Sequence, residues 1–316
     1  MILIISFHDN EHVERVQQHL TAESVVVDTG LFPSSTRLSA RFEDGTERLQ
    51  LALPDGRDLD LATVRAVWSR RIRPLGLHAE LADGPPRSFA WSESQEALTG
   101  LWYSLECFWM NHPLAEEESQ RKLRQLQVAQ QVGLAIPETL VTSDPDLARG
   151  FIDDVGPGNV IRKAFRNIAE APRVTAVVGE SELAQIEAVR YAPVIFQRYV
   201  PAEVDLRVTV VEDDVFAAAI RSEPAYHADY RVGLASAELT EYELPDDVTT
   251  GLLELMRALR IGYGAIDMRV TPEGEHVFLE VNPAGEYLFV ADRTDLPIAA
   301  AIAACLERYD ANGTPA

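Results

Sequence analysis

Two strand-length apolar runs, over 263–270 and 276–281, flank the turn signal Pro272-Glu273-Gly274, and this hairpin constrains the fold more than any other stretch. Alternation puts Glu280 and Asn282 on one face of the second strand and turns Val281 into a core between them. A four-residue turn over 272–275 pairs Thr271 with His276 and so sets Asp267 opposite Glu280. Three oxygen-bearing side chains then share one small patch. Asp, Glu and an Asn amide suit Mg²⁺, a hard cation that fills its other positions with phosphate oxygens and water. The same residues also fit a solvated acidic face, and the hairpin alone leaves both readings open.

The rest of the second half is also mostly β. Strands are expected over 194–199, 206–211 and 215–220, a helix over 246–259 and a terminal helix over 296–309. The first 112 residues alternate strand and helix signals instead. Strands over 2–7, 24–28 and 64–68 surround a helix over 11–20 and paired strands within 38–61. An aromatic helix over 88–109, carrying Trp91, Trp102, Phe108 and Trp109, reads as a core helix or a dimer contact. Asn111-His112-Pro113 then punctuates the chain. One helix opens at Glu116 and ends at Gly133, followed by a strand over 139–142, a helix after Pro145 and a strand over 159–163. The aperiodic stretch 164–173, before a strand over 173–178, suits a mobile loop at a hairpin tip. The layout is α+β with an N-terminal α/β lobe, divided at 1–112, 113–192 and 193–316.

Twenty-eight Lys and Arg stand against 50 Asp and Glu, a net charge of −22 that excludes nucleic acid or an anionic membrane as the main partner. The apolar run 296–306 is half of the ~20 residues a membrane span needs, and the opening Ile2-Leu3-Ile4-Ile5 is too short for a signal segment. Cys107 and Cys305 show no metal or disulfide spacing, so a cytoplasmic enzyme is expected. In so acidic a chain a local group of cations carries information. Arg65, Arg70, Arg71 and Arg73 put four guanidiniums into nine residues without an acid. They suit bidentate carboxylate recognition, or simply a strand end facing the acidic surface. Lys122 and Lys163 are point cations of the kind that neutralise phosphate.

Taken in order, these residues resemble the ATP-grasp superfamily over about 116–306. Lys122-Leu-Arg-Gln-Leu-Gln-Val-Ala resembles the family's first nucleotide lysine and its helix, and Val160-Ile-Arg-Lys163 the second lysine strand before the phosphate-covering loop. Ile195-Phe-Gln-Arg-Tyr-Val200 matches the hinge that binds adenine, which implies cofactor roles for Gln197, Arg198, Tyr199 and Val200. Family members often carry an acid where Arg198 stands. Asp205-Leu-Arg207 resembles the strand with ribose and substrate contacts, and Arg221 the arginine near the transferred phosphate. The resemblance turns Asp267, Glu280 and Asn282 into the metal ligands of an ATP site with two Mg²⁺ ions. It implies that a carboxylate is activated as an acyl phosphate and then attacked by a nucleophile.

A finer resemblance is to the graspetide, or microviridin-type, ribosomal-peptide maturases. Val67-Trp68-Ser69-Arg70-Arg71 is similar to the tryptophan–arginine motif of their N-terminal lobe, His227-Ala-Asp229-Tyr-Arg231 to their acidic–aromatic–arginine motif, and Asn282-Pro-Ala-Gly285-Glu-Tyr-Leu-Phe to their C-terminal signature. This implies substrate contacts by Arg70, Arg71, Arg207, Asp229 and Arg231, a precursor peptide of leader plus core as the partner, and a homodimer. The implied reaction joins Asp or Glu side chains to Ser/Thr or Lys as macrolactones or macrolactams. Two rivals remain at this stage: an amino-acid ligase that adds glutamate-like residues, and a nucleotide-binding regulatory module without turnover.

Overall fold

Ile2, Leu3, Ile4 and Ile5 are all fully buried, and a strand closed on both faces belongs inside a covered parallel sheet. That is where they lie in the computed structural model, which describes residues 1–165, 175–223 and 233–312. The N-terminal lobe runs β1 (Ile2–Ile5), α1 (Glu11–Gln17), β2 (Ser24–Val27), β3 (Arg37–Glu43), β4 (Thr46–Ala52), β5 (Asp58–Asp60), β6 (Ala66–Ser69), α2 (Pro85–Tyr103) and β7 (Phe108–Met110). Its parallel strands take the order β2-β1-β6-β7, and β3, β4 and β5 form a separate antiparallel sheet. The aromatic helix expected over 88–109 is therefore shorter. It stops at Tyr103, and Phe108 and Trp109 lie on β7, in register with Ala66 and Val67 of β6. Aromatic rings fill a sheet as readily as a helix face, so a run of them does not separate the two.

Two helices, α3 (Pro113–Ser119) and α4 (Lys122–Gln131), replace the single one expected from 116. The break is held by side chains: Ser119 Oγ folds back onto the Glu116 carbonyl at 3.0 Å, and Gln125 Nε2 donates to the Ser119 carbonyl at 2.6 Å. Orphan carbonyls at a helix end need such partners. Next come β8 (Thr139–Thr142), α5 (Pro145–Val155), β9 (Val160–Lys163), β10 (Ala176–Val177), α6 (Glu180–Leu183) and β11 (Val194–Arg198), whose strands form an antiparallel sheet in the order β10-β9-β11-β8.

The remaining elements are β12 (Val204–Val211), β13 (Asp214–Arg221), β14 (Glu238–Glu241), α7 (Asp246–Leu259), β15 (Tyr263–Val270), β16 (His276–Asn282), α8 (Leu288–Thr294) and α9 (Ile298–Asn312). Their sheet is antiparallel in the order β14-β13-β12-β15-β16. One apolar face, with Leu206, Val208, Ile266 and Phe278, packs on Leu252, Leu255 and Leu259 of α7. Ile298, Ile302 and Leu306 of α9 instead share a core with Ile2, Ile4 and Trp68 of the first lobe and with Ala218 and Ile220 of β13. Each such side chain contributes about 1.5–3 kcal/mol on burial, so α9 fastens the N-terminal sheet to the last one. Among the described residues, no helix is long and apolar enough to cross a membrane.

Candidate active site

The hairpin β15–β16 sets Asp267 opposite Glu280 by a route the sequence did not reveal. Val270, not Thr271, faces His276, and the turn occupies five residues, closed by Thr271 N–H donating to the Glu275 carbonyl at 2.9 Å. Thr271 Oγ1 accepts from the amides of Glu273 and Glu275, which stabilises the longer loop. A β-bulge beside Met268 then takes up Leu279 as an extra residue and shifts the register by one. The two departures cancel, so Asp267 pairs with Glu280, and Asn282 lies two residues on, opposite Ala265.

Both acids of this patch already face cations. Lys122, the first residue of α4, forms an ion pair with Glu280, and Arg207 Nη1 lies 2.8 Å from Asp267 Oδ1. Gln125 sets the position of Lys122: its amide exchanges hydrogen bonds with Val281 on β16, donating to the carbonyl at 2.7 Å and accepting from the N–H at 3.1 Å. Asn282 Oδ1 accepts from Ala284 N–H at 3.0 Å. Because the set is two acids and an amide, it forms no cluster of three His, Cys, Asp or Glu, and none is found among the described residues. Two carboxylates and an amide oxygen on one face, drawing two cations, nevertheless fit a hard divalent ion such as Mg²⁺. A cavity of about 420 Å³ opens beside them, lined by Lys122, Gln125, Phe165, Glu280, Asn282 and Pro283.

Next to the patch, the tripeptides Asp205-Leu-Arg207 on β12 and Asp267-Met-Arg269 on β15 run antiparallel, so each Asp stands opposite the other strand's Arg. Asp205 and Arg207 therefore pair across strands. Arg269 Nε lies 2.9 Å from Asp205 Oδ1, and both side chains are about 5% exposed. Arg269 Nη1 also donates to the Val200 carbonyl at 2.7 Å and lies over the Tyr199 ring, which ties the hinge to the strand bearing Asp267. Arg269 and Gln125 escaped the sequence reading. The signal for Arg269 was the repeated Asp-x-Arg, while Gln125 left none.

The hinge residues are divided. Gln197 is buried on β11, donates to Thr139 Oγ1 at 2.9 Å and keeps a buried Oε1 with no hydrogen-bond partner among the described residues. Arg198 is half-exposed and pairs with Glu138 at 2.6 Å, so an acid does lie beside this position, supplied by the neighbouring chain segment. Tyr199 N–H donates to the Asn159 carbonyl at 2.7 Å. Lys163 ends β9, in register with Ile195 of β11. Arg221 is exposed at the end of β13, 3.3 Å from Thr240 Oγ1, and no described contact joins it to Asp267, Glu280 or Asn282.

The N-terminal arginines separate as well. Arg73 pairs with the buried Asp28, and Arg71, half-exposed, pairs with Glu286. Arg70 is 1% exposed and donates through Nη1 to the Ala284 carbonyl, while its Nε and Nη2 have no hydrogen-bond partner among the described residues. Nearby, burial pushes the Glu116 carboxyl up to about 7 against the pull of Arg70. Burial, together with Arg70 and Arg71, lowers His12 to about 3. Asp229 and Arg231 lie outside the described residues, as do 166–173 of the expected loop.

Comparison with known proteins covers the whole of this architecture. An MvdD pre-ATP grasp domain model matches residues 1–117, and a RimK-like ATP-grasp domain model matches residues 119–306. Macrocyclase MdnC of Microcystis aeruginosa MRC, solved bound with precursor peptide MdnA, is 31% identical over 97% of this chain and 99% of that one, with a TM-score of 0.85. Macrocyclase MdnB of the same organism is 34% identical, covering 96% and 98%, with a TM-score of 0.80. The Chryseobacterium gregarium RiPP-associated ATP-grasp ligase, solved with ADP and a leader and core peptide, is 29% identical, covering 97% and 96%, with a TM-score of 0.88. A curated relative, the probable alpha-L-glutamate ligase of Shewanella loihica, is 27% identical over 180 residues, 55% of this chain. The match spans only 59% of that relative's length.

Proposed function

The chain belongs to the RimK-like ATP-grasp family, and from that premise we propose that it is a peptide-cyclising ligase acting on a ribosomal precursor. The observation that carries this reading is the end-to-end match to MdnC, which takes in the N-terminal lobe as well as the ligase core. In this reading residues 1–112 form the pre-ATP-grasp lobe, 113–192 the lobe with the nucleotide lysines, and 193–316 the lobe with the metal site.

ATP, held with Mg²⁺ (two ions in this proposal), would supply the phosphoryl group that activates an Asp or Glu side chain of the peptide, and phosphate would leave as a Ser/Thr hydroxyl or a Lys amine attacks. The protein's part is largely positioning and charge neutralisation. Asp267, Glu280 and Asn282 hold the metal, supported by their shared face and hard-oxygen chemistry. Lys122, which pairs with Glu280, and Lys163 would offset phosphate charge. Gln197, Arg198, Tyr199 and Val200 form the adenine edge, and Asp205 faces the ribose. Arg221 faces the transferred phosphate, while Arg70, Arg71, Arg207, Asp229 and Arg231 serve the peptide. Free thiols at Cys107 and Cys305 suit a reducing cytoplasm. A homodimer is supported by the exposed Phe89 and Trp91 on α2.

The likeness to the glutamate ligase favours one rival, an amino-acid ligase. A single experiment separates the two. Incubation with ATP, Mg²⁺, free glutamate and the precursor peptide from a neighbouring reading frame is expected to remove one water per linkage in the intact mass. An added amino acid would favour the rival, and ADP-free, mass-neutral incubation would favour a module without turnover.

A further inference from the structure

Asn282 opens a turn in which every backbone carbonyl from 282 to 286 accepts a hydrogen bond. Asn282 O accepts from Gly285 N–H at 3.1 Å, Pro283 O from Asn111 Nδ2 at 2.9 Å and Ala284 O from Arg70 Nη1. Gly285 O accepts from the Tyr263 hydroxyl at 2.7 Å, and Glu286 O from Arg207 Nη2 at 2.9 Å. The backbone packs so closely here that a Cβ on Gly285 would stand 2.4 Å from that of Ala265, the residue opposite Asn282.

Two of these donors come from the other end of the chain. Arg70 follows β6 and Asn111 follows β7, neighbouring strands of the N-terminal parallel sheet. The carboxyl edge of such a sheet is where a ligand ordinarily sits. In this protein that edge seats the turn after Asn282. Asn111 is 1% exposed and uses its whole amide: Nδ2 donates to the Tyr263 and Pro283 carbonyls at 2.8 and 2.9 Å, and Oδ1 accepts from the Gly262 and Tyr263 amides at 2.9 Å each. Two carbonyls and two N–H groups as partners leave its orientation no choice. One side chain thus joins the start of β15 to the turn that leaves β16, closing the open end of the hairpin that carries Asp267, Glu280 and Asn282.

We propose that Asn111, assisted by Arg70, is a positioning residue for the metal end of the site, fixing Asn282 against Asp267 and Glu280 from the N-terminal lobe. This rests on the reading of those three as metal ligands. Neither side chain touches the metal. Each acts on ligand geometry through the backbone, as outer hydrogen bonds orient metal ligands elsewhere, where their loss weakens binding about 10–100-fold.

Asn111→Asp keeps both acceptor bonds and replaces the two donations with oxygen facing oxygen. Three quantities test it: the melting temperature, binding of a fluorescent ADP analogue in EDTA, and Mn²⁺ binding to the ADP complex by electron paramagnetic resonance. The expected result is a folded protein with unchanged metal-free nucleotide binding and Mn²⁺ affinity about 10–100-fold weaker. Unchanged Mn²⁺ affinity overturns the proposal, as does nucleotide binding lost in step with Mn²⁺, which would mark a general structural role. Asn111→Ala, which removes all four bonds, carries the same expectation and the same contrary outcomes if Asn111→Asp does not fold. Wild-type protein that binds no Mn²⁺ with ADP would instead overturn the metal assignment beneath the proposal.

Discussion

Arg207 and Asp267 face each other across β12 and β15 at 2.8 Å, with side chains only 8% and 10% exposed. Removing one partner of a buried pair typically costs about 3–5 kcal/mol, because the remaining charge stays desolvated. Asp267→Ala is therefore expected to lose ligation and to lower stability by about that much. Asp267→Asn, which still accepts from Arg207, is expected to lose ligation with a smaller stability change. Urea unfolding and intact-mass assays of both variants check this. Ligation by folded Asp267→Asn at the wild-type rate would remove Asp267 from the metal site.

Arg269 reaches Asp205, the Val200 carbonyl and the Tyr199 ring, so it couples the hinge to β15. Arg269→Lys keeps the charge but not the planar fork that makes these contacts together. The expected outcome is an ATP KM raised on the order of tenfold, about 1.4 kcal/mol, with the peptide KM unchanged. Initial rates with each substrate varied in turn measure both. A raised peptide KM with normal ATP KM would place Arg269 on the peptide side of the site.

The sequence carried the shared face of Asp267, Glu280 and Asn282 because side-chain alternation fixes which residues of a strand point the same way. The pairing of Asp267 with Glu280 was reached through a turn one residue too short, and the bulge at Leu279, which has no local signature, restored it. Arg269 was missed because alternating charge in a strand reads as a solvated face, whereas β15 is buried along its whole length. The contacts of Asn111 and Arg70 span 172 and 214 residues. Nothing in local periodicity reports such closures. The helix break after Ser119 likewise depends on Gln125, six residues further on.

Arg71 offers a cleaner test of peptide contact than Arg70, which is buried against Ala284. The Arg71 pair with Glu286 is half-exposed on both sides, and such pairs contribute about 0–1 kcal/mol. Arg71→Ala is expected to leave stability within about 1 kcal/mol of wild type and to raise the peptide KM several-fold. A fluorescence-anisotropy titration with labelled precursor, run beside a thermal melt, reads both. Unaltered peptide affinity would leave Arg71 a surface residue paired with Glu286.

Glu116 provides a pH signature of the junction between lobes. Burial raises its carboxyl from 4.5 to about 7, and Arg70 offsets only part of that. The folded state therefore holds a proton that the unfolded chain has released. The resulting stability is fully present below pH 4.5 and is lost as pH rises to about 7. His12 works in the opposite sense. It stays neutral when folded down to about pH 3, so its contribution is full above 6.5 and falls as pH drops from there. Between pH 4.5 and 6.5 the two slopes oppose each other and wild-type stability hides both. Glu116→Gln, which resembles the protonated acid, removes one of them. Its stability relative to wild type is expected to be level below pH 4.5, to climb through pH 7 and to settle on the order of 3 kcal/mol higher at pH 8. Urea unfolding at pH 4.5, 6 and 8 measures the difference directly. A difference that does not change with pH would mean that Glu116 is hydrated in the folded protein and that the junction beside Arg70 is open to water.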